Sequence, residues 1–218
     1  QYNTVQMKGS LTIDEAEKTV MDWSKSYHGV WGGSARGMLQ DSAKHETRIE
    51  KGFNQYFPGS TLMSFDVKNI EDEEKPVIID AKVNLESYAR KQGDSLMLPL
   101  VVQKDSYVSD YAPLSNRTLP VALPFPFSTS LELSFHLGDR YEVVRLPDDQ
   151  NLTTPFGTYS LSCILAKDGP PDLPQVVCTS DFSLTVVRVA VDQYPAFRAF
   201  LEKAAFLNKQ VLEVRHVR

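Results

Sequence analysis

Two cysteines are the residues whose spacing most clearly predicts chemistry. Cys163 lies in YSLSCIL and Cys178 in PQVVCTS, and the strong turn signal KDGPPDLP separates the two runs. If the runs pair as a hairpin about this turn, residue 163 falls opposite residue 178, with Cα atoms about 4.5 Å apart. A disulfide tolerates this separation and would indicate an oxidising compartment. The alternative is two buried free thiols that pack as small apolar side chains.

The other reactive side chains do not form a recognisable catalytic set. A nucleophile needs a neighbouring base and a third group that orients the base. Neither cysteine is followed by a helix start or flanked by a histidine, and no G-x-S-x-G elbow occurs. The histidines are not spaced as metal ligands, and His45 is predicted on the polar side of a helix. We therefore expect no enzymatic activity and no catalytic or metal residues.

Two further segments have the composition of a ligand site but not the spacing of one. The glycine-rich WGGSARG at 31–37 fits neither the Rossmann nor the P-loop spacing and is predicted to be a flexible loop. The acidic NIEDEEKP at 69–76 lacks the alternation of a calcium loop, so we interpret its carboxylates as solvated. We expect no cofactor.

The charge balance limits the partners. The formal net charge is -5 and the sequence pI is about 5.4, with Lys and Arg scattered along the chain. Nucleic-acid binding needs a concentrated basic face, so we expect no nucleic-acid partner. The longest apolar stretches, 96–102 and 119–127, are short and broken by proline, which predicts no membrane span.

Alternating apolar and polar residues dominate the chain and indicate strands. In VIIDAKVNLES (77–87) one face is apolar and the other polar, and Met63, Phe65 and Val67 are predicted to share a face. Pro99 is predicted to place its strand at an edge. Residues 5–27 are interpreted as a hairpin, although a capping box at Thr12 and Glu15 with helical spacing after it supports a rival helix.

Two segments show helical spacing. Ile49 and Phe53 lie on the apolar side of an amphipathic helix predicted near 38–57. A second helix is predicted near 193–210, with Asp192 as its cap and an apolar stripe that must be covered by a sheet face. The fold class is therefore mainly β (α+β): antiparallel β-sandwich units with one internal amphipathic helix and a C-terminal helix packed on the sheet.

The proline-rich segment 105–127 has little periodicity and is the candidate boundary. It divides the chain into a β-rich unit at 1–115 and a β-sandwich unit at 116–218, unless the two form one continuous domain.

The C-terminal half resembles a known family. The stretch from NRTLPVALPFPF (116–127) through GTYSLSCI, followed by VDQYPAFRAFLEKA, is similar to the region after the catalytic core of large bacterial transglutaminase-like proteins. The blocks GSLTIDEAEKTVMDWSKSYHGVWGGSARGMLQ, FNQYFPGSTL and NIEDEEKPVII match in the same order. The family's catalytic Cys, His and Asp lie upstream of this region, so no catalytic residue carries over to this chain.

The resemblance implies a non-catalytic accessory module of an envelope protein, periplasmic or extracellular. Its partner would be another protein or the adjacent catalytic domain of the same parent chain. The alternative is an extracellular peptide- or glycan-binding adhesion module, because β-sandwiches often bind ligands through end loops. In that case Tyr107 and Tyr111, in the proline-rich segment, are the place to look.

Overall fold

The computed structural model describes residues 3–14, 16–100, 107–165 and 175–217. Strands dominate these parts of the chain. The strands are β1 (Thr4–Ile13), β2 (Thr19–Tyr27), β3 (Thr61–Lys68), β4 (Val77–Leu85), β5 (Arg90–Gln92), β6 (Ser95–Pro99), β7 (Val121–Ala122), β8 (Phe127–His136), β9 (Tyr141–Arg145), β10 (Gln150–Thr154), β11 (Gly157–Leu165), β12 (Val176–Leu184), β13 (Arg188–Val189) and β14 (Val211–His216). The α-helices are α1 (Val30–Met38), α2 (His45–Asn54), α3 (Tyr107–Tyr111) and α4 (Tyr194–Leu207).

One large sheet organises the fold. Its strand order is β10-β11-β12-β8-β1-β2-β4-β3, and the central pair β1 and β8 is parallel while the other neighbours are antiparallel. A smaller sheet has the order β5-β6-β14-β9, and β13 pairs with β7. The fold is mainly β with a C-terminal helix, as predicted, and the β1–β8 pairing joins the two halves of the chain. The division at residue 115 stays a prediction.

The large sheet is apolar on one face and polar on the other. Leu11, Met21 and Val83 are neighbours across β1, β2 and β4, and all three are fully buried. Their sequence neighbours point to the opposite face, where the side chains are exposed or half-buried. This is the period-2 alternation of a sheet that is packed on one side and solvated on the other.

Helices α2 and α4 and the small sheet cover the apolar face of the large sheet. Trp23 of β2 meets Phe53 of α2 with ring centroids 6.3 Å apart, and Phe182 of β12 stacks with Phe200 of α4 at 5.9 Å. The apolar side of the small sheet, including Leu98, belongs to the same buried cluster. The elements therefore share one continuous hydrophobic core, and the predicted β hairpin at 5–27 is confirmed.

The glycine-rich segment 31–37 is a helix, so the loop prediction is wrong. Gly32 and Ala35 are buried in α1, and a Cβ on Gly32 would lie 3.2 Å from the carbonyl oxygen of Tyr27. The small residues let the helix backbone approach β2 closely, which outweighs the low helix propensity of glycine. The guanidinium of Arg36 donates to carbonyl oxygens of the acidic loop, including Ile70 at 3.0 Å.

The amphipathic helix predicted near 38–57 is shorter, because a 3-10 turn at Ser42–Lys44 precedes α2. His45 does not lie on the polar side. Its imidazole is buried, and Nε2 donates to the carbonyl oxygen of Leu39 at 2.7 Å. The buried carbonyl that ends the preceding segment needs a donor, and the ring supplies it.

Three smaller expectations also change. A register shift between Leu62 and Ser64 leaves Met63 unpaired and 58% exposed, so the regular alternation that would align it with Phe65 is interrupted there. Pro99 does not lie on an edge strand, because β6 is an inner strand between β5 and β14. Pro99 pairs with Val211 of β14, and only its β5 side lacks a partner because β5 is too short to reach it. Asp192 does not cap α4: the N-cap is Gln193, whose side chain accepts from the backbone N–H of Ala190.

Candidate functional site

The two cysteines form a disulfide. Cys163 and Cys178 are directly opposed in the β11–β12 register, and their Cα atoms are 4.1 Å apart. The turn at 167–174 that the sequence places between them lies outside the described residues. The bond sits on the apolar face of the large sheet, where Cys178 is buried beside Leu133 of β8. Its place indicates a structural rather than a reactive disulfide.

The tyrosines of the proline-rich segment are used in packing. Tyr107 stacks on Phe182 with ring centroids 4.0 Å apart, and Tyr111 packs against Phe127 at 5.4 Å. Arg198 of α4 donates to the carbonyl oxygen of Leu114 at 2.6 Å, which ties the segment to the helix. Residues 105 and 106 lie outside the described residues. The described part of this segment therefore packs on the hydrophobic core and does not form an open binding loop.

Two serine–histidine pairs lie on the polar face of the large sheet. Ser10 Oγ is 3.0 Å from His136 Nε2, and Ser26 Oγ is 3.1 Å from His28 Nε2. A hydroxyl next to an imidazole supplies two members of a nucleophilic triad. Among the contacts between described residues, no carboxylate meets either ring. The Ser26–His28 pair is visible in the sequence as i,i+2 neighbours at the end of β2, whereas Ser10–His136 depends on the β1–β8 pairing.

The polar face contains a groove of about 540 Å³ that crosses β8, β1, β2, β4 and β3. Serine hydroxyls and charged side chains make up most of its lining, together with Gly9, Trp23, Phe65 and Ala81. The outward-facing residues that line it are Lys8, Ser10, Asp22, Ser24, Ser64, Asp66, Asp80, Lys82, Glu132 and Ser134. We call this feature the polar groove.

Cross-strand ion pairs organise the rim of the polar groove. Lys8 lies 3.3 Å from Glu132, and Lys82 lies 3.4 Å from Asp22. The side chains of these pairs are 42–68% exposed, so each pair contributes at most about 1 kcal/mol to stability. Their charges therefore remain available to an incoming surface.

Lys68 and Asp80 form the tightest of these pairs, with Nζ 2.6 Å from the carboxylate oxygen. Burial opposes ionisation of Asp80, but hydrogen bonds from Lys68 and Ser24 outweigh it and keep the pKa of Asp80 below its ordinary value. The carboxylate is therefore held in its charged form at neutral pH.

A second cavity, of about 210 Å³, lies on the opposite face of the sheet between β2 and α2. Aromatic and aliphatic side chains form most of its wall, with Lys25 and Arg48 as its charged groups. The lining residues are Trp23, Lys25, Tyr27, Met38, Leu39, Arg48, Ile49, Gly52, Phe53, Gln55, Tyr56 and Ile79. We call this feature the Lys25 pocket.

Lys25 is unusual within this pocket. Its side chain is half-buried, and Nζ lies 5.0 Å from the centroid of the Tyr27 ring. Among the described residues no carboxylate forms an ion pair with it. Burial lowers the pKa of Lys25 to about 8 and raises the pKa of Tyr27 to about 12.

We expect Lys25→Met to stabilise the protein at pH 7 by about 1–2 kcal/mol, because methionine fills the same space without a poorly solvated charge. The folded-state pKa lies below the ordinary value, so the unfolded chain binds more protons between about pH 8 and pH 10.5. The wild type therefore gains stability across this window, and the advantage of the variant shrinks. Urea unfolding at pH 7 and pH 10 measures both effects. Lys8→Met, at an exposed lysine, is the matched control, and equal pH profiles for wild type and Lys25→Met would contradict the account.

The described residues contain neither a candidate metal centre nor a helix that could span a membrane. In the described ranges, no cluster of three or more His, Cys, Asp or Glu side chains is placed to hold a metal ion. None of the helices there combines the length and hydrophobicity needed to cross a bilayer.

These features define the class of protein: a β-rich domain whose large sheet is packed on one face and open on the other. Residues 94–214 match the family model described as a Domain of Unknown Function with solved-structure structure (DUF3858), which covers more than half of the chain. The chain belongs to this family. The match includes β8, β10, β11 and β12 of the large sheet, while β1 to β4 precede it. No curated protein and no solved structure matches the chain.

Proposed function

We propose that this chain is a non-catalytic accessory module of a transglutaminase-like envelope protein. In this proposal it docks a protein partner, the adjacent catalytic domain of the parent chain, through the open face of its large sheet. The observation that carries the proposal is the polar groove, a recess lined mainly by serine hydroxyls and by charges of both signs.

The dimensions of the open face suit a protein partner. Eight strands spaced about 4.8 Å apart, all but β10 eight to ten residues long, give a surface of roughly 35 Å by 30 Å. A stable protein–protein interface buries about 800 Å² on each side, so this face is large enough for one without help from other elements.

The chemistry of the face supports docking more than catalysis. The short hydroxyls let a partner's backbone come close, and the exposed charges of Lys8, Asp22, Lys82 and Glu132 can form pairs that fix its orientation. The two serine–histidine pairs lie on an open sheet surface and have no carboxylate contact among the described residues, as a triad would require.

The disulfide supports the location in the cell envelope. A bond between Cys163 and Cys178 persists in an oxidising compartment and is rare in a reducing cytosol. The alternative function, binding of a peptide or glycan through the proline-rich segment, has less support because Tyr107 and Tyr111 are packed against Phe182 and Phe127.

The proposal predicts direct binding between this chain and the separately produced catalytic domain of its parent protein. In isothermal titration calorimetry, the charge reversals Asp22→Lys and Glu132→Lys together are expected to weaken binding by tenfold or more, equivalent to about 1.4 kcal/mol. Higher salt should weaken wild-type binding in the same direction.

Lys25→Met, on the opposite face of the sheet, is the control and should bind like the wild type. Circular dichroism confirms that each variant is folded. The proposal fails if the wild type gives no binding signal, or if the double variant binds as tightly as the wild type. Binding to a glycan array without binding to the domain would instead support the adhesion alternative.

A further inference from the structure

We propose that the Lys25 pocket is a binding site for a carboxylate carried on a body about the size of one aromatic ring, with Lys25 as the cationic contact. This site is separate from the polar groove and does not rest on the docking function, since the two lie on opposite faces of the sheet.

The size of the pocket fits such a ligand. Its volume is about 210 Å³. A cavity of about 150 Å³ holds one benzene ring, so the remaining space admits a methylene and a carboxylate group. Larger ligands would have to extend out through the mouth of the pocket.

The walls of the pocket select an apolar body. Trp23 and Phe53 meet edge to face at 6.3 Å, and Tyr56 and Ile79 complete an apolar lining around them. A ring placed here can make the same edge-to-face contacts with the aromatic wall.

The charges of the pocket select an anion. Two of its twelve lining residues are cationic, Lys25 and Arg48, and none is acidic. Arg48 already donates to the carbonyl oxygen of Met38, whereas Lys25 forms no hydrogen bond or ion pair with the described residues and its Nζ lies 5.0 Å from the centroid of the Tyr27 ring. A poorly solvated ammonium without a counter-ion is costly, and a carboxylate brought into the pocket would supply that counter-ion.

The protonation of Lys25 gives the site a pH dependence. The other titratable or charged groups that line the pocket are Tyr27, Arg48 and Tyr56. Because the pKa of Lys25 in the free protein is lowered to about 8, affinity for a carboxylate should be constant between about pH 5, below which the carboxylate itself takes up a proton, and this pH. It should fall about tenfold per pH unit above it, until the pKa of the bound form is reached.

The test uses the full chain and phenylacetate as the probe, with phenylacetamide as its neutral counterpart. The chain has two tryptophans, and Trp23 lines the pocket while Trp31 packs against Phe125 and Phe127. In a ¹H–¹⁵N NMR titration, the indole signal of Trp23 should shift with saturation while that of Trp31 serves as an internal control. We expect a dissociation constant near 1 mM for a ligand of this size.

The proposal predicts that phenylacetate binds at least about ten times more tightly than phenylacetamide, and that Lys25→Met removes this difference. Lys8→Met, on the other face of the sheet, should keep it. The absence of a saturable shift at Trp23 up to tens of millimolar overturns the proposal, as does a preference for the acid that survives Lys25→Met.

A second pair of probes distinguishes the sources of the carboxylate. The tripeptide Gly-Gly-Phe is titrated with a free C-terminal carboxylate and as its amide. If the free tripeptide binds as well as phenylacetate, the natural ligand is a peptide chain end, and if only phenylacetate binds, it is a small free acid. The groove variant Asp22→Lys/Glu132→Lys should bind phenylacetate normally, so failure of the docking proposal and failure of this one are distinguishable.

Discussion

Phe197→Ala is expected to lower the free energy of unfolding by about 3–5 kcal/mol, which is the usual cost of removing a fully buried phenylalanine. The Phe197 side chain is 0% exposed, and its ring packs edge to face on Phe156 with centroids 5.4 Å apart. It lies on the stripe by which α4 covers the large sheet, so the truncation leaves a cavity between helix and sheet rather than a solvated gap.

Phe206→Ala is the matched control on the same helix, because the Phe206 side chain is 63% exposed. We expect it to change stability by less than about 0.5 kcal/mol. Urea unfolding followed by circular dichroism measures both variants. A loss of less than about 1 kcal/mol at Phe197 would show that α4 does not cover the core.

Replacing both Cys163 and Cys178 by serine is expected to cost about 3 kcal/mol, because the bond joins residues 15 positions apart and so restricts the unfolded chain. The loss should come mainly as a lower midpoint of urea unfolding. Cys178 is buried, so part of the cost reflects a hydroxyl placed in an apolar environment.

Reduction of the wild type separates these two contributions. With a reductant present, the wild type should lose most of the same stability, while the serine variant should be unaffected. A wild type that is insensitive to reductant, with an intact mass that shows two free thiols, would contradict the pairing.

Local patterns predicted much of this fold. The alternation at 77–87 predicted β4, and the opposed cysteines of β11 and β12 follow from one turn signal, because these features depend on neighbours in the sequence. The apolar stripe that contains Phe197 and Phe200 predicted α4 for the same reason.

Features that depend on distant parts of the chain were missed. Glycine content predicts a loop at 31–37, whereas the structure forms a helix in which Gly32 packs closely on Tyr27 of β2, and helix propensity does not take such packing into account. The sequence predicts His45 on a polar face, because its hydrogen-bond partner, the carbonyl of Leu39, is buried only in the folded chain. The register shift at Met63 interrupts the alternation of β3 without a glycine or proline to mark it.

The candidate sites were the least predictable features. The polar groove exists because β1 pairs with β8 in parallel, more than 100 positions away in the sequence, and this pairing brings Glu132 next to Lys8. The Lys25 pocket needs α2 to lie over β2, which places Phe53 against Trp23. Neither arrangement has a local signal, although an isolated lysine on the apolar side of β2 was a visible exception to the alternation.

Carboxylate footprinting of the docked complex tests the central claim most directly. The chain is labelled with a carbodiimide and an amine, alone and in complex with the catalytic domain that we propose as its partner, and each labelled site is quantified by mass spectrometry. Docking through the open face predicts protection of Asp22, Asp66 and Glu132, while Glu202, on the exposed side of α4, keeps its reactivity. Unchanged labelling of the groove carboxylates in a formed complex, or protection confined to Glu202, would contradict it.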